Sequence, residues 1–273
     1  MFIFAQLTNQ IPAFNMLASH ISGLVNDAIR AVFPDACVIC HSDHAAESLT
    51  GRAAGDWLWI CESCETQMIG DLTWRCPYCH TSRPQGVRGD LRCHRCRTAN
   101  LHFERVIAVG HYTGILRDSV LEMKAQVNDI MAVNFGRLLG RVWRRLELPA
   151  CDLVLPVPLH WIKRWRRMVN LSAAIAEGFQ RDWRWPIREN VLQLVRATAK
   201  QGMLTTQQRF ENVRGAYRVA HRASVVGRRV LVIDDVMTSG ATLGEISRVL
   251  REAGAAQVWC GVVARAGHAA WRG

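Results

Sequence analysis

Short apolar runs alternate with segments of helical periodicity along the last two thirds of the chain. Such continuous runs are typical of parallel strands covered on both faces. The candidate strands are Phe103–Val109, Leu153–Val157, Val230–Ile233 and Val258–Ala264. Between them, apolar residues recur every three or four positions and predict helices: Leu116, Val120, Met123 and Val127; Leu138, Leu139, Val142 and Leu146; Ala173–Phe179; Ile246, Val249, Leu250 and Ala253. This alternation predicts a doubly wound parallel α/β sheet, with ligands at the carboxyl ends of the strands.

Two carboxylates follow the third candidate strand, in the stretch 230-VLVIDDVMTSGATL-243. The pattern predicts that the strand ends at Asp234 and Asp235 and that residues 237–241 turn into the next helix. Successive backbone N–H groups at such a turn can hold a phosphate. The acids require cationic or hydroxyl-bearing partners, which a ribose and Mg²⁺ supply. The stretch therefore predicts a ribose 5-phosphate site, with hydroxyl donors at Thr238, Ser239 and Thr242 and a close backbone approach at Gly240.

Eight of the ten cysteines form four CxxC units within about sixty residues, which indicates two four-thiolate zinc sites. The units are Cys37 and Cys40, Cys61 and Cys64, Cys76 and Cys79, and Cys93 and Cys96. Spacing alone allows sequential pairing of the units or a cross-braced arrangement. A closed shell of four thiolates leaves no open position for a substrate, so the zinc is expected to be structural. His41, His44, His80 and His94 are then expected at the surface, while Cys151 and Cys260 are predicted core residues.

The formal charge of +11 lies almost entirely in the second half of the chain, since residues 37–105 carry as many acidic as basic residues. This excess favours an anionic partner, either nucleic acid or a polyphosphate. Residues 1–34 lack the basic start of a secretory signal and predict an amphipathic lead-in helix, with Leu17, Ile21, Leu24 and Ala28 on one face. No apolar run approaches the roughly 18 residues of a membrane span, so we expect a cytoplasmic protein.

The motifs together resemble the ComF/GntX family. The segment Val230–Thr242 is similar to the phosphoribosyl-pyrophosphate (PRPP) signature of type I phosphoribosyltransferases. The family's middle motif is matched by Arg196, Thr198, Gln201, Leu204, Arg209, Asn212 and the run Gly215–Tyr217. Residues 166–171 depart from the family's RRGFNQ, because Met168, Val169 and Leu171 replace glycine, phenylalanine and glutamine.

The resemblance implies a double zinc ribbon over 35–100 and a phosphoribosyltransferase-like domain over 101–273, and the lead-in helix predicted from periodicity, over 1–34, lies outside the part it covers. It implies that Asp234 and Asp235 hold the ribose hydroxyls and Mg²⁺ as catalytic residues. PRPP would be bound by Val236, Met237, Thr238, Ser239, Gly240, Ala241 and Thr242. Basic contacts to pyrophosphate or DNA would come from Lys163, Arg164, Arg166 and Arg167. A mobile loop over the site would carry Arg196, Lys200 and Gln201.

Three functions remain open at this point. The leading one is a ComF/GntX-like protein that binds PRPP with Mg²⁺ and acts in DNA uptake or utilisation during natural competence, with competence-machinery proteins as partners. The second is a PRPP sensor that catalyses nothing and binds single-stranded DNA, where Trp161, Trp165, Trp183 and Trp185 could stack on bases. The third is a nucleobase phosphoribosyltransferase of salvage. A fold alone does not select among them.

Overall fold

The computed structural model describes residues 36–42, 59–84, 86, 91–98, 102–159, 169–199 and 204–267. The chain divides into two compact units, Met1–Cys61 and Glu62–Gly273. Several predictions concern residues outside the described ranges: the lead-in helix over 1–34, His44, Trp161, Lys163, Arg164, Trp165, Arg166, Arg167, Met168, Lys200 and Gln201. None of the helices in the described part is long and apolar enough to cross a membrane.

The described helices and strands follow the predicted alternation. The helices are α1 (Glu62–Ile69), α2 (His94–Thr98), α3 (Gly114–Gln126), α4 (Asp129–Arg145), α5 (Leu171–Trp183), α6 (Thr206–Val213) and α7 (Ala241–Glu252). The strands are β1 (Arg105–His111), β2 (Leu153–Pro156), β3 (Leu192–Leu194), β4 (Tyr217–Val219), β5 (Arg229–Met237) and β6 (Gln257–Arg265).

Four of these strands form a parallel sheet in the order β1-β6-β5-β2, and β3 and β4 form a separate antiparallel pair. On one face of the sheet, Val230 and Val232 pack in a core that includes Ile246 and Leu250 of α7. Alternate residues point to the other face, where α4 lies close enough that a Cβ on Gly261 would meet the Leu139 side chain at 2.9 Å. Helices therefore cover both faces, and the predicted doubly wound architecture is confirmed.

Helices α4 and α5 touch at their backbones. A Cβ added to Gly136 would lie 1.9 Å from the carbonyl oxygen of Ile175, and one added to Gly178 would lie 1.9 Å from that of Val133. Only a residue without a side chain permits this approach. The two glycines thus set the distance between α4 and α5. Asn128 and Asn170 are the N-caps of these helices, and each side chain accepts a hydrogen bond from a first-turn N–H group.

Two of the four tryptophans considered for base stacking, Trp183 and Trp185, lie in an aromatic cluster. Trp143 is fully buried, with its ring centroid 5.8 Å from those of Phe179 and Trp185 and 5.7 Å from that of Trp259. Trp183 lies 5.0 Å from Trp185 in the same cluster, and its indole N–H donates to the Gly140 carbonyl. Trp185 is thus buried and unavailable for base stacking, whereas Trp183 is half-buried.

Candidate functional site

The eight paired cysteines form two sequential groups. Cys37, Cys40, Cys61 and Cys64 make one group, and Cys76, Cys79, Cys93 and Cys96 make the other; within each, the sulfur atoms lie within 4.8 Å of one another. Backbone N–H groups of Cys61 and Cys93 donate to the sulfurs of Cys37 and Cys76. Four thiolates at this spacing fit a tetrahedral zinc ion. The structure thus favours sequential pairing of the CxxC units over the cross-braced arrangement.

The second cysteine group is built onto the edge of the sheet. The N–H of Val106 in β1 donates to the Tyr78 carbonyl at 2.6 Å, and the N–H of Ala108 donates to Nδ1 of His80 at 2.6 Å. The expectation that His80 lies at the surface is wrong, because its side chain is only 1% exposed. Burial holds the pKa of His80 well below its usual value, so the ring stays neutral and Nδ1 remains an acceptor.

The acidic pair lies within the last half of β5 rather than beyond its end. The strand continues to Met237, so the predicted boundary at Asp234 is corrected. Oδ1 of Asp234 accepts hydrogen bonds from the Ser172 hydroxyl at 3.1 Å and from the N–H of Asp235 at 2.9 Å. These donors satisfy the carboxylate locally, which lets the strand carry it. Nζ of Lys124 lies 3.1 Å from Oδ2 of Asp235.

The two carboxyl groups differ in their electrostatic surroundings. Burial and repulsion from Asp235 raise the pKa of Asp234 to about 7, while the Asp235 N–H, Lys124 and Ser172 partly oppose this rise. Near neutral pH the Asp234 carboxyl is therefore protonated in about half of the molecules. A cation bound here would favour ionisation of Asp234, so proton release should accompany binding.

The loop between β5 and α7 has the backbone of an anion cradle. Gly240 is the N-cap of α7 and adopts a left-handed conformation, with φ of 78°. Glycine has no side chain to cap the helix, so the N-cap position leaves room for an anion at the N-terminus of α7. The Ser239 hydroxyl is buried and accepts a hydrogen bond from the N–H of Ala241 at 3.3 Å. The half-buried Thr242 forms a hydrogen bond with Tyr217 of β4. Burial and the nearby Asp234 raise the pKa of Tyr217.

A buried arginine at the end of β6 supports this loop, and the sequence analysis missed it. Arg265 is only 2% exposed. Nη1 donates to the carbonyls of Met237 at 3.1 Å and Thr238 at 2.6 Å, and Nε donates to the Cys79 carbonyl at 3.1 Å. One guanidinium thus joins the second cysteine group to the start of the loop. The signal for Arg265 in the sequence was a charged residue at the end of an otherwise apolar strand.

The remaining predicted residues are placed as follows. Nη2 of Arg196 donates to the carbonyls of Asn212 and Arg214, both at 2.9 Å, and the Asn212 amide exchanges hydrogen bonds with the backbone of Ala199. These family-motif residues therefore hold their own segment together. Leu171 is buried at the first position of α5, so the departure from glutamine there serves packing. Cys151 and Cys260 are buried, as predicted.

Comparisons with known proteins agree with this geometry. The phosphoribosyl transferase domain family matches residues 169–271, which include the acidic pair and the loop. DNA utilization protein YhgH of Escherichia coli O6:H1 is 33% identical over 181 residues, covering 62% of this chain and 77% of the relative. Competence protein F of Haemophilus influenzae is 29% identical over 181 residues, covering 64% and 78%.

Among solved structures, glutamine PRPP amidotransferase from B. subtilis aligns with a TM-score of 0.34 and 25% identity, covering 48% of this chain and 25% of that one. The assignment does not depend on that alignment. It depends on the identity and coverage of the curated relatives, on the matched domain and on the two cysteine groups. These findings together show that the chain belongs to the ComF/GntX family.

Proposed function

We propose that the chain binds PRPP together with Mg²⁺ at the carboxyl end of β5 and acts in the uptake or utilisation of DNA. The observation that carries the binding proposal is the juxtaposition of a carboxylate pair with an uncapped helix N-terminus in nine consecutive residues, Asp234–Thr242. One half suits a cation and hydroxyl groups, and the other suits a phosphate. A sugar phosphate that chelates a metal needs both.

Each part of the site has a distinct task in this proposal. The first-turn N–H groups of α7, with the hydroxyls of Thr238 and Thr242, take the 5-phosphate. Asp234 and Asp235 take the ribose hydroxyls and hold Mg²⁺, which neutralises pyrophosphate charge when it is bound. Lys124, now paired with Asp235 at 3.1 Å, balances the carboxylate in the free protein. The basic residues Lys163, Arg164, Arg166 and Arg167 remain the proposed contacts to pyrophosphate.

The cysteine groups are proposed to hold two structural zinc ions. Each group offers four thiolates and no other ligand, so zinc would be fully coordinated and would supply cross-linking rather than chemistry. Reduced cysteines are typical of the cytoplasm, which is the compartment we propose. Two zinc ions with eight thiolates lower the net charge from +11 to about +7.

The role in DNA utilisation is proposed from the names of the relatives, YhgH and competence protein F.

The positive charge supports a second candidate function, binding of single-stranded DNA by the basic second half of the chain. Its test is affinity for an oligonucleotide at two salt concentrations, with the substitutions Arg164→Gln, Arg166→Gln and Arg167→Gln combined. Affinity that is unaffected by salt and by the triple substitution would reject it.

Calorimetric titration with PRPP, with and without Mg²⁺, tests the binding proposal. We expect binding only with Mg²⁺ and a loss of about tenfold or more in affinity in Asp235→Asn, because a carboxylate ligand is removed. The matched control is Asp152→Asn, which removes a carboxylate at the opposite, amino-terminal end of β5, where Asp152 pairs with Arg229. Failure of the folded, zinc-loaded wild type to bind PRPP would reject the proposal.

A further inference from the structure

The two carboxylates in the last half of β5 are held by partners of different kinds. Asp234 accepts hydrogen bonds from the Ser172 hydroxyl and from the N–H of Asp235, and both donors are neutral and set in place by the fold. Asp235 is paired instead with the ammonium group of Lys124, whose Nζ lies 3.1 Å from Oδ2. This is the one ion pair that Asp235 forms within the described part of the chain. Its partner is therefore a flexible charged side chain, which a ligand can draw away.

Lys124 reaches the acidic pair from the last turn of α3. The residues three and four positions away on this helix are not acidic, so the helix itself offers Lys124 no ion-pair partner. The helix dipole favours a lysine in the last turn, but it does not direct the ammonium group to the end of a strand. The position of Lys124 thus comes from the packing of α3, in which the neighbouring Met123 is fully buried.

Attachment of α3 to the core explains little of this ion pair. Leu116, Val120 and Met123 are at most 1% exposed and already anchor the helix. The side chains of Lys124 and Asp235 remain 35% and 23% exposed. Ion pairs with this access to water contribute little to stability, because solvent screens them. The pair can therefore be exchanged for other partners at low cost.

A metal ion on Asp235 would lie too close to Lys124 for both to stay. Mg²⁺ binds carboxylate oxygens at roughly 2.0–2.1 Å. On Oδ2 of Asp235 it would lie at most roughly 5 Å from Nζ, which is the sum of the two contact distances. Two cations at that separation repel each other. Metal binding at this oxygen therefore requires the ammonium group to leave, and the ammonium group then needs another anion.

We propose that Lys124 excludes free divalent cations from Asp235 and admits the metal only together with PRPP. This inference rests on the proposed PRPP site and adds the control of its metal. Lys124 and Mg²⁺ compete for one carboxylate, and PRPP decides the competition. The site thereby distinguishes the complex of metal and PRPP from the free metal.

The pyrophosphate group of PRPP supplies the anion that Lys124 needs. Lysine binds phosphate as a point charge at the end of a flexible four-carbon stem. Rotation of this stem moves the ammonium group from Oδ2 of Asp235 to a phosphate oxygen while α3 stays anchored. One ion pair is then replaced by two attractive contacts, metal to carboxylate and ammonium to phosphate. Free metal brings no such anion, so it meets only the repulsion.

Titration of zinc-loaded protein with Mn²⁺ in the absence of PRPP measures the exclusion, with the electron paramagnetic resonance signal of the free ion as the readout. Lys124→Met removes the charge and should raise Mn²⁺ affinity about tenfold or more, because the repulsion is lost. Lys124→Arg keeps the charge and should retain the wild-type affinity. The gain should vanish when Lys124→Met is combined with Asp235→Asn, since the contested carboxylate is then absent.

Arg117→Met is the matched control. It removes a cation from the same helix, but Arg117 pairs with Asp118 at 2.9 Å, so Mn²⁺ affinity should not change. Equal Mn²⁺ affinity in wild type and Lys124→Met would overturn the inference, and so would an equal gain in Arg117→Met, because the effect would then be one of net charge.

PRPP affinity at saturating Mn²⁺ separates this inference from the proposed function. It should fall about tenfold in Lys124→Met, because a charged phosphate contact is lost. An unchanged PRPP affinity in this variant would reject the transfer of Lys124 to phosphate. Failure of wild type to bind PRPP with Mn²⁺ would reject the proposed function and the transfer together, whereas the titration without PRPP still decides whether Lys124 excludes the metal.

Discussion

The carboxyl group of Asp234 opposes folding at neutral pH, and removing its charge should stabilise the protein. Its pKa rises from the ordinary value of 3.8 to about 7 in the folded chain because of burial and repulsion from Asp235. The difference is about three pH units, and each is worth 1.36 kcal/mol, so the ceiling is about 4 kcal/mol. Partial exposure and screening reduce it to about 2–4 kcal/mol. Asp234→Asn keeps an oxygen acceptor for Ser172 while removing the charge.

The sign of the pH dependence follows from the raised pKa. Between pH 4 and pH 7 the folded carboxyl keeps a proton that the unfolded one has lost, so wild-type stability falls as pH rises through this window. The advantage of Asp234→Asn should therefore be largest at pH 8 and less than half as large at pH 5. For a folded unit of this size, 2 kcal/mol corresponds to a rise in Tm of about 4 °C or more.

Thermal unfolding of zinc-loaded protein at pH 5.0, 6.5 and 8.0, without Mg²⁺ or PRPP, measures the effect. Asp152→Asn is the control with the opposite sign, because hydrogen bonds from Arg229 hold the pKa of Asp152 below its usual value. Its substitution should lower the Tm by nearly the same amount at all three pH values, because each lies above the ordinary pKa of 3.8 and the contribution of Asp152 is lost only below it. A Tm change in Asp234→Asn that is the same at all three pH values, or a lower Tm at pH 8, would refute the reasoning.

Three further outcomes are expected. Gly178→Ala should lower the free energy of unfolding in urea by about 3 kcal/mol or more, since its Cβ would lie 1.9 Å from a backbone oxygen of α4. Gly140→Ala should cost less, because its Cβ would meet only the side chains of Asp182 and Trp183. Arg265→Lys should weaken PRPP binding about tenfold in calorimetry without changing metal content, because lysine lacks the forked donors that hold the loop. Elemental analysis should find two zinc ions per wild-type chain. Cys79→Ser, which removes a ligand, should retain one, and Cys260→Ser, which lies outside both groups, should retain two.

The sheet could be predicted because its strands are apolar on both faces. Val230–Ile233 and, apart from the half-buried Trp259, Val258–Ala264 are buried in the two central strands, so no alternation with polar residues was needed to find them. The acidic pair was visible as two charges after such a run. The end of β5 was misplaced because apolarity stops at Ile233, whereas the strand continues to Met237 with Asp234 satisfied by local donors.

Long-range partners explain what the sequence did not reveal. Arg265 bonds to Cys79, which is 186 residues earlier in the chain, and nothing near Arg265 in the sequence indicates that carbonyl. His80 adjoins a cysteine ligand and looked like a surface residue, but the edge of β1 buries it. The pairing of the CxxC units was undecided for the same reason, since equal spacings fit either arrangement until the chain is folded.

The edge of the sheet at β1 has a consequence for assembly. An open edge strand offers unpaired N–H and C=O groups to strands of other chains and so promotes aggregation. Here the Tyr78 carbonyl and the His80 ring occupy the N–H groups of Val106 and Ala108, and both residues belong to the loop that carries Cys76 and Cys79. If the proposed zinc ion holds this loop in place, its removal should open the edge of β1 to pairing with strands of other chains.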